Sequence, residues 1–281
     1  MRADQPSRTA WRSALRRAAH QVWDSPHVYD DPLALKLVGA EEEAGIRAKS
    51  ARSVTQLEQT IRASMAARSR FAQDCLNEAV ARGVRQLVVM GAGLDTTVLQ
   101  DAYKDLRCFE IDHPATQSWK KQVLADAGIA TPANLIFVPV DFTKQTLAGE
   151  LPRAGWDANA PTFFSWLGVT PYLPPSAVAE TLGFIAARPS GSEIAFDVST
   201  PPGAITLYER LARVAYGLKN MIRGETVGTR FDPAQMASEM RAMGYRDVTF
   251  LTGNDVNARY FAGRADGLKV SNRSALIRGI V

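Results

Sequence analysis

Two glycines, Gly91 and Gly93, come directly after the apolar run RQLVVM (85–90). Neither has a Cβ, so this turn lets a ligand approach the main chain closely, as nucleotide-binding loops require. The next apolar run, LRCFEID (106–112), ends on an acid, and Asp112 stands 21 positions after Gly91. An acid about 20 residues beyond a glycine loop is placed to accept from both hydroxyls of a ribose. Glu110 shares a strand face with Asp112 by period-two geometry. Asp112 is nearer the carboxyl end, where α/β folds bind ligands, and is the preferred ribose partner. A third run, LIFVPV (135–140), leads into Asp141 and Phe142. An acceptor beside an aromatic ring suits an adenine, the acid for its amine and the ring for its face.

The full dinucleotide fingerprint needs a third small residue at position 96, and the chain has Thr96 there. No Tyr-x-x-x-Lys pair accompanies it. Both features argue against a nicotinamide-dependent oxidoreductase, the first competing reading. The second is a non-catalytic protein that binds a nucleoside cofactor without turning it over.

These residues need a scaffold, and the hydrophobic pattern supplies one. Five apolar runs near 85–90, 106–112, 135–140, 162–167 and 192–198 alternate with helical stretches near 115–127, 144–150 and from Pro174 onward. That alternation predicts βαβ units and a mainly parallel sheet with helices on both faces. Strands over 247–251 and 274–280 follow a helix over 233–243, and these last two strands are expected to pair antiparallel. Residues 1 to about 82 read as helical. The long helix 55–82 is closed by Gly83, and a shorter one is opened by Asp31-Pro32 with proline in its first turn. EEEAGIRAKS (41–50) reads as a charged, solvated connection. A helix near 205–219 and the long loop after it read as an insertion over the site.

The chain has 281 residues, 46% hydrophobic and 22% charged, enough for a packed core and unlike disordered or fibrous sequences. Its net charge is +4 and its pI about 9.1, too mild to argue for nucleic acid but compatible with a small anionic ligand. Cys75 and Cys108 stand apart, so neither a disulfide framework nor a metal cluster is expected. No run approaches the roughly 18 apolar residues of a membrane span. The opening MRADQPSRTAWRSALRRAAH is Arg- and Ser-rich, as transit peptides are. Asp4 interrupts it and no cleavage-like boundary follows, so an intrinsic helix and a cytoplasmic protein are expected.

VVMGAGLDTT (88–97), FEIDHP (109–114), VDF (140–142) and FFSWLGVTPYL (163–173) together resemble the leucine carboxyl methyltransferase-like family, in particular its bacterial branch with mycobacterial members. DDPLA (30–34), ARSRFAQD (67–74) and RYFAGRADGL (259–268) extend the resemblance over most of the chain. It implies a Rossmann-like class I methyltransferase fold: an α/β domain with a seven-stranded, mostly parallel sheet. A helical cap (1–83) would precede the cofactor-binding core (84–200). An insertion or lid (201–232) and the last part of the sheet (233–281) would follow. It implies S-adenosyl-L-methionine (SAM) as cofactor. Arg68 would pair with its carboxylate, and Gly91, Ala92 and Gly93 would line its methionine and ribose. Asp112 would hold the ribose hydroxyls, and Asp141 with Phe142 would read the adenine. Trp166, Thr170 and Tyr172 would stand near the methyl-transfer centre. At Leu167 the chain departs from the members that methylate protein C-termini, which carry a glutamate there. Only His20, His27 and His113 could serve as histidine bases. None is placed for that role, which favours an acceptor needing no base, such as a carboxylate. The expected activity is O-methylation of a carboxylate or hydroxyl on a small, anionic metabolite, with no nucleic acid or membrane partner.

Overall fold

A computed structural model describes residues 7–49, 54–141, 144–201 and 228–281. Seven strands form one sheet: β1 Gln86–Met90, β2 Arg107–Asp112, β3 Leu135–Pro139, β4 Thr162–Trp166, β5 Glu193–Ser199, β6 Asp247–Leu251 and β7 Ser274–Ile280. Their order is β3-β2-β1-β4-β5-β7-β6. The first five run parallel, and β7 is antiparallel to both β5 and β6. Strand order reverses between β1 and β4. That reversal opens a crevice at the carboxyl ends of the strands, where ligands of such sheets bind.

Nine helices surround the sheet among the described residues: α1 Arg8–Trp23, α2 Ala34–Val38, α3 Ala40–Ala48, α4 Gln56–Ala81, α5 Pro114–Asp126, α6 Leu147–Arg153, α7 Pro175–Ala186, α8 Pro233–Met243 and α9 Gly253–Tyr260. None is long and apolar enough to cross a membrane. β1 is buried along its whole length. Its alternate residues serve two cores. Leu87 and Val89 meet Phe71, Cys75 and Leu76 of α4, whereas Val88 and Met90 join Phe164, Trp166, Val178 and Leu182 on the other face. Each fully buried Leu or Phe contributes about 1.5–3 kcal/mol.

α1 starts at Ser7, whose hydroxyl accepts the Ala10 N–H at 3.2 Å, and its buried face is mostly Ala14, Ala18 and Ala19. Small side chains let it lie close against the rest of the protein. α4 starts at Thr55 in the same way and ends before Gly83, whose φ is +100°.

The structure corrects several expectations. Residues 40–48 are helical, because Glu41, Glu42 and Glu43 complement the positive end of α3 and Arg47 pairs with Glu43 one turn away. Asp31-Pro32 forms a turn in which Asp31 Oδ1 accepts the Leu33 N–H at 3.3 Å, and α2 begins only at Ala34. α6 begins at Leu147 rather than near 144, with Thr146 as its cap. α9 was not foreseen; a reciprocal Thr252–Asp255 capping box starts it. The helix expected near 205–219 lies outside the described residues. So does most of the expected insertion.

Candidate functional site

A cleft of about 850 Å³ opens over the carboxyl ends of β1 to β4. Its floor is the glycine loop. The Gly91 and Ala92 N–H groups donate to the Ile111 carbonyl at 2.8 and 3.1 Å, which ties the loop to the end of β2. Gly91 and Gly93 have φ of +65° and +48°. A Cβ at Gly91 would fall 2.4 Å from Val169 Cγ2, and one at Gly93 would fall 2.9 Å from the Ala10 Cβ of α1. Both positions therefore need glycine for conformation and for space.

Asp112 accepts the Gly93 N–H at 2.6 Å through one oxygen and the His113 N–H at 2.7 Å through the other. Burial pushes its carboxyl above the ordinary aspartate range, against the pull of those two N–H groups. Glu110 is fully buried, with both oxygens 2.7 Å from Lys120 Nζ, and does not line the cleft. Burial raises its pKa and the Lys120 ammonium opposes the rise. Of the two acids on β2, only Asp112 is presented to a ligand.

Thr96 explains why the dinucleotide pattern stops. Its hydroxyl donates to Asp31 at 2.8 Å. Arg17 donates to the same carboxylate oxygen at 3.0 Å and to the Leu94 carbonyl at 2.6 Å. One buried aspartate thus joins α1 to the loop that the cofactor would touch. Lys120 reaches the loop too, donating to the Asp95 carbonyl at 2.7 Å.

Arg68 reaches the cleft from α4, and Gly168 has φ +71°. The Arg68 guanidinium lies against Gly168, with Nη1 2.7 Å from where a Cβ would stand. Its nearest acid is Asp197 of β5, at 3.6 Å. Arg70 faces elsewhere, donating to Asp74 at 2.7 Å and the Val28 carbonyl at 3.2 Å. Asp141 lines the cleft beyond β3, its carboxylate 3.2 Å from Lys144. Phe142 lies outside the described residues.

Trp166 lines the cleft although buried, with the Phe196 ring centroid 6.2 Å from its own. Tyr172 also lines it and is 42% exposed. Thr170 does not. It is fully buried and donates to the Asp197 carbonyl at 2.7 Å, so it anchors the loop after β4 instead of meeting a substrate. His113 caps α5, its Nδ1 accepting the Ala115 N–H at 3.3 Å. His20 is buried between Asp24 and the N–H groups of Val28 and Tyr29, away from the cleft.

Sequence reasoning overlooked Arg17, Asp31 and Asp197. The rule that picks Asp112 and Asp141, an acid at the carboxyl end of a parallel strand, also fits Asp197. Nothing local marks Asp31, whose partners at 17 and 96 are remote in sequence.

Comparison with known proteins agrees with this geometry. The family model described as leucine carboxyl methyltransferase matches residues 10–186. YktD of Bacillus subtilis (strain 168), whose name assigns it to the SAM-dependent methyltransferases, is 29% identical over 95% of both chains. A Mycobacteroides abscessus protein similarly named is 30% identical over 78% of this chain and 70% of its own. A crystal structure from Thermobifida fusca YX, described as a methyltransferase, shares the fold with a TM-score of 0.56 at 18% identity, over 90% of this chain and 93% of its own. This chain belongs to the leucine carboxyl methyltransferase family and is a SAM-dependent methyltransferase of class I fold.

Proposed function

We propose that the protein methylates an oxygen, of a carboxylate or a hydroxyl, on a small anionic metabolite. The residues present fit the cofactor. The glycine loop has no room for a Cβ, the Asp112 carboxylate closes the end of β2, and the Arg68 guanidinium makes no hydrogen bond among the described residues. In this reading Arg68 takes the methionine carboxylate as a charge-assisted pair. Gly91, Ala92 and Gly93 flank the methionine and ribose, Asp112 accepts from the ribose hydroxyls, and Asp141 with Phe142 takes the adenine. Trp166 and Tyr172 are the candidate acceptor contacts.

When bound, SAM supplies a methyl group on a positive sulfur, already a good leaving group. The chain's part would then be alignment: the glycine-loop floor and the Asp112 carboxylate would hold the cofactor so that its methyl group can meet the acceptor. The observation that carries the oxygen reading is the state of His113, the one cleft-lining histidine. Its Nδ1 accepts the Ala115 N–H as the cap of α5, so that nitrogen is engaged by the backbone and is not offered to an acceptor. An acceptor that arrives ionised, as a carboxylate does near neutral pH, needs no base. Charge supports the same reading. The first turn of α1 faces the cleft through Ser7, Thr9 and Ala10 and carries no acid, so its positive end favours an anion.

The test is a panel of small carboxylates, phenols and amines incubated with radiolabelled SAM. Methyl esters release volatile methanol in base, whereas methyl ethers and N-methyl groups do not. Label transfer to carboxylates or phenols is expected. Turnover confined to amines would contradict the oxygen reading. SAM binding with no transfer to any acceptor would favour a non-catalytic role.

A further inference from the structure

β5 runs beside β4, and its alternate residues divide between the two faces of the sheet. Phe196 and Val198 enter the core under α7, whereas Ala195 packs on the face covered by α4. Asp197 shares the face of Ala195 and meets Arg68 there. Its side chain is only 11% exposed. A carboxylate so enclosed needs partners, and each that it has leads to the cleft. Oδ1 accepts the Gly168 N–H at 2.5 Å. Oδ2 faces Arg68 Nη1 at 3.6 Å, and the main-chain carbonyl accepts the Thr170 hydroxyl at 2.7 Å. One residue therefore fixes the loop 168–170 from two sides and faces the arginine that lies on that loop.

The two cleft arginines differ in how they are held. Arg17 is spent on Asp31 and Leu94. Arg68 has no hydrogen bond among the described residues; a glycine backbone lies beneath it and a carboxylate stands beyond hydrogen-bond reach. That arrangement orients a guanidinium without consuming its donors. A long side chain oriented in advance loses less rotamer freedom when its ligand binds.

We propose that Asp197 is a positioning residue, holding Arg68 over Gly168 so that its fork faces the amino acid end of the cofactor. This rests on the reading of Arg68 as the partner of the methionine carboxylate. Asp197 acts through Arg68 and Gly168 and does not itself line the cleft.

The experiment is calorimetry on wild type, Asp197→Asn, Arg68→Ala and the double variant, with two ligands. S-adenosylhomocysteine has the amino acid end and 5′-methylthioadenosine lacks it. Asn keeps an acceptor for the Gly168 N–H and removes the charge facing Arg68, so the fold should survive; thermal melting checks this. Asp197→Asn should weaken S-adenosylhomocysteine about 3- to 10-fold and leave methylthioadenosine unchanged, and it should add nothing in the Arg68→Ala background. Unchanged or tighter S-adenosylhomocysteine binding by Asp197→Asn, equal losses for both ligands, or losses that multiply in the double variant would overturn the proposal. If Arg68→Ala weakens S-adenosylhomocysteine and Asp197→Asn does not, only the positioning role falls. If Arg68→Ala changes nothing, the reading of Arg68 falls with it.

Discussion

Around the half of the cleft formed by the glycine loop and the end of β2, polar side chains are tied to the backbone and to one another. Asp112 holds two backbone N–H groups, Asp31 gathers Arg17 and Thr96, and Lys120 closes on Glu110. In the half formed by α7 and the Tyr172–Leu173 end of the loop after β4, the wall is Leu173, Ala177 and Phe184, and the Thr181 hydroxyl turns back onto the Ala177 carbonyl of its own helix. The first half is prepared for a ligand whose groups are known in advance. The second offers apolar surface with polar tips such as Tyr172 and Glu180, which suits acceptors of varied shape. A cofactor shared across a family can impose fixed geometry on its subsite, while the acceptor subsite is where members can differ.

Breaking the wiring should have the largest effect. Glu110→Ala leaves the Lys120 ammonium buried without its counter-charge, and urea unfolding should show a loss of about 3–5 kcal/mol. A loss near zero would mean that the first half is not held by this pair. Asp112→Ala should leave the fold intact and weaken SAM about 10- to 150-fold by calorimetry, because charged hydrogen bonds are worth about 1.5–3 kcal/mol. The wild-type pH profile sharpens this. Binding uses the carboxylate, and burial raises its pKa, so affinity should decline on acidification at a higher pH than an ordinary aspartate would titrate. Thr96→Val removes one donor to Asp31 and should cost about 1 kcal/mol of stability. Phe184→Leu, in the other half, should leave S-adenosylhomocysteine affinity unchanged and alter only the KM of the acceptor. Weaker cofactor binding by that variant would erase the distinction between the halves.

Much of the first half was legible because its determinants are local. A β-branched run, two glycines and an acid at the next strand end follow one another within 30 residues, and each carries its reason in its type. Arg68 was reached through family resemblance alone. Its helix lies outside the strand-and-loop pattern, and only tertiary packing brings it to Gly168. Thr96 was visible as a departure from a pattern, but its partner Asp31 stands 65 residues earlier. Thr170, like Arg68, was reached through the resemblance, and its hydroxyl satisfies a backbone carbonyl that no local pattern shows. The charged run 41–50 misled in another way: exposed charge says nothing about backbone conformation, and its three glutamates start a helix. The acceptor half was the least legible, since apolar residues on α7 follow the same helical periodicity whether they face a core or a ligand.

Amide hydrogen exchange with and without S-adenosylhomocysteine tests the division of the cleft most directly. The ligand should slow exchange in the glycine loop, residues 91–97, and at the start of α5, residues 112–117, while α7 exchanges as before. Protection confined to α7, with the glycine loop unaffected, would contradict the account.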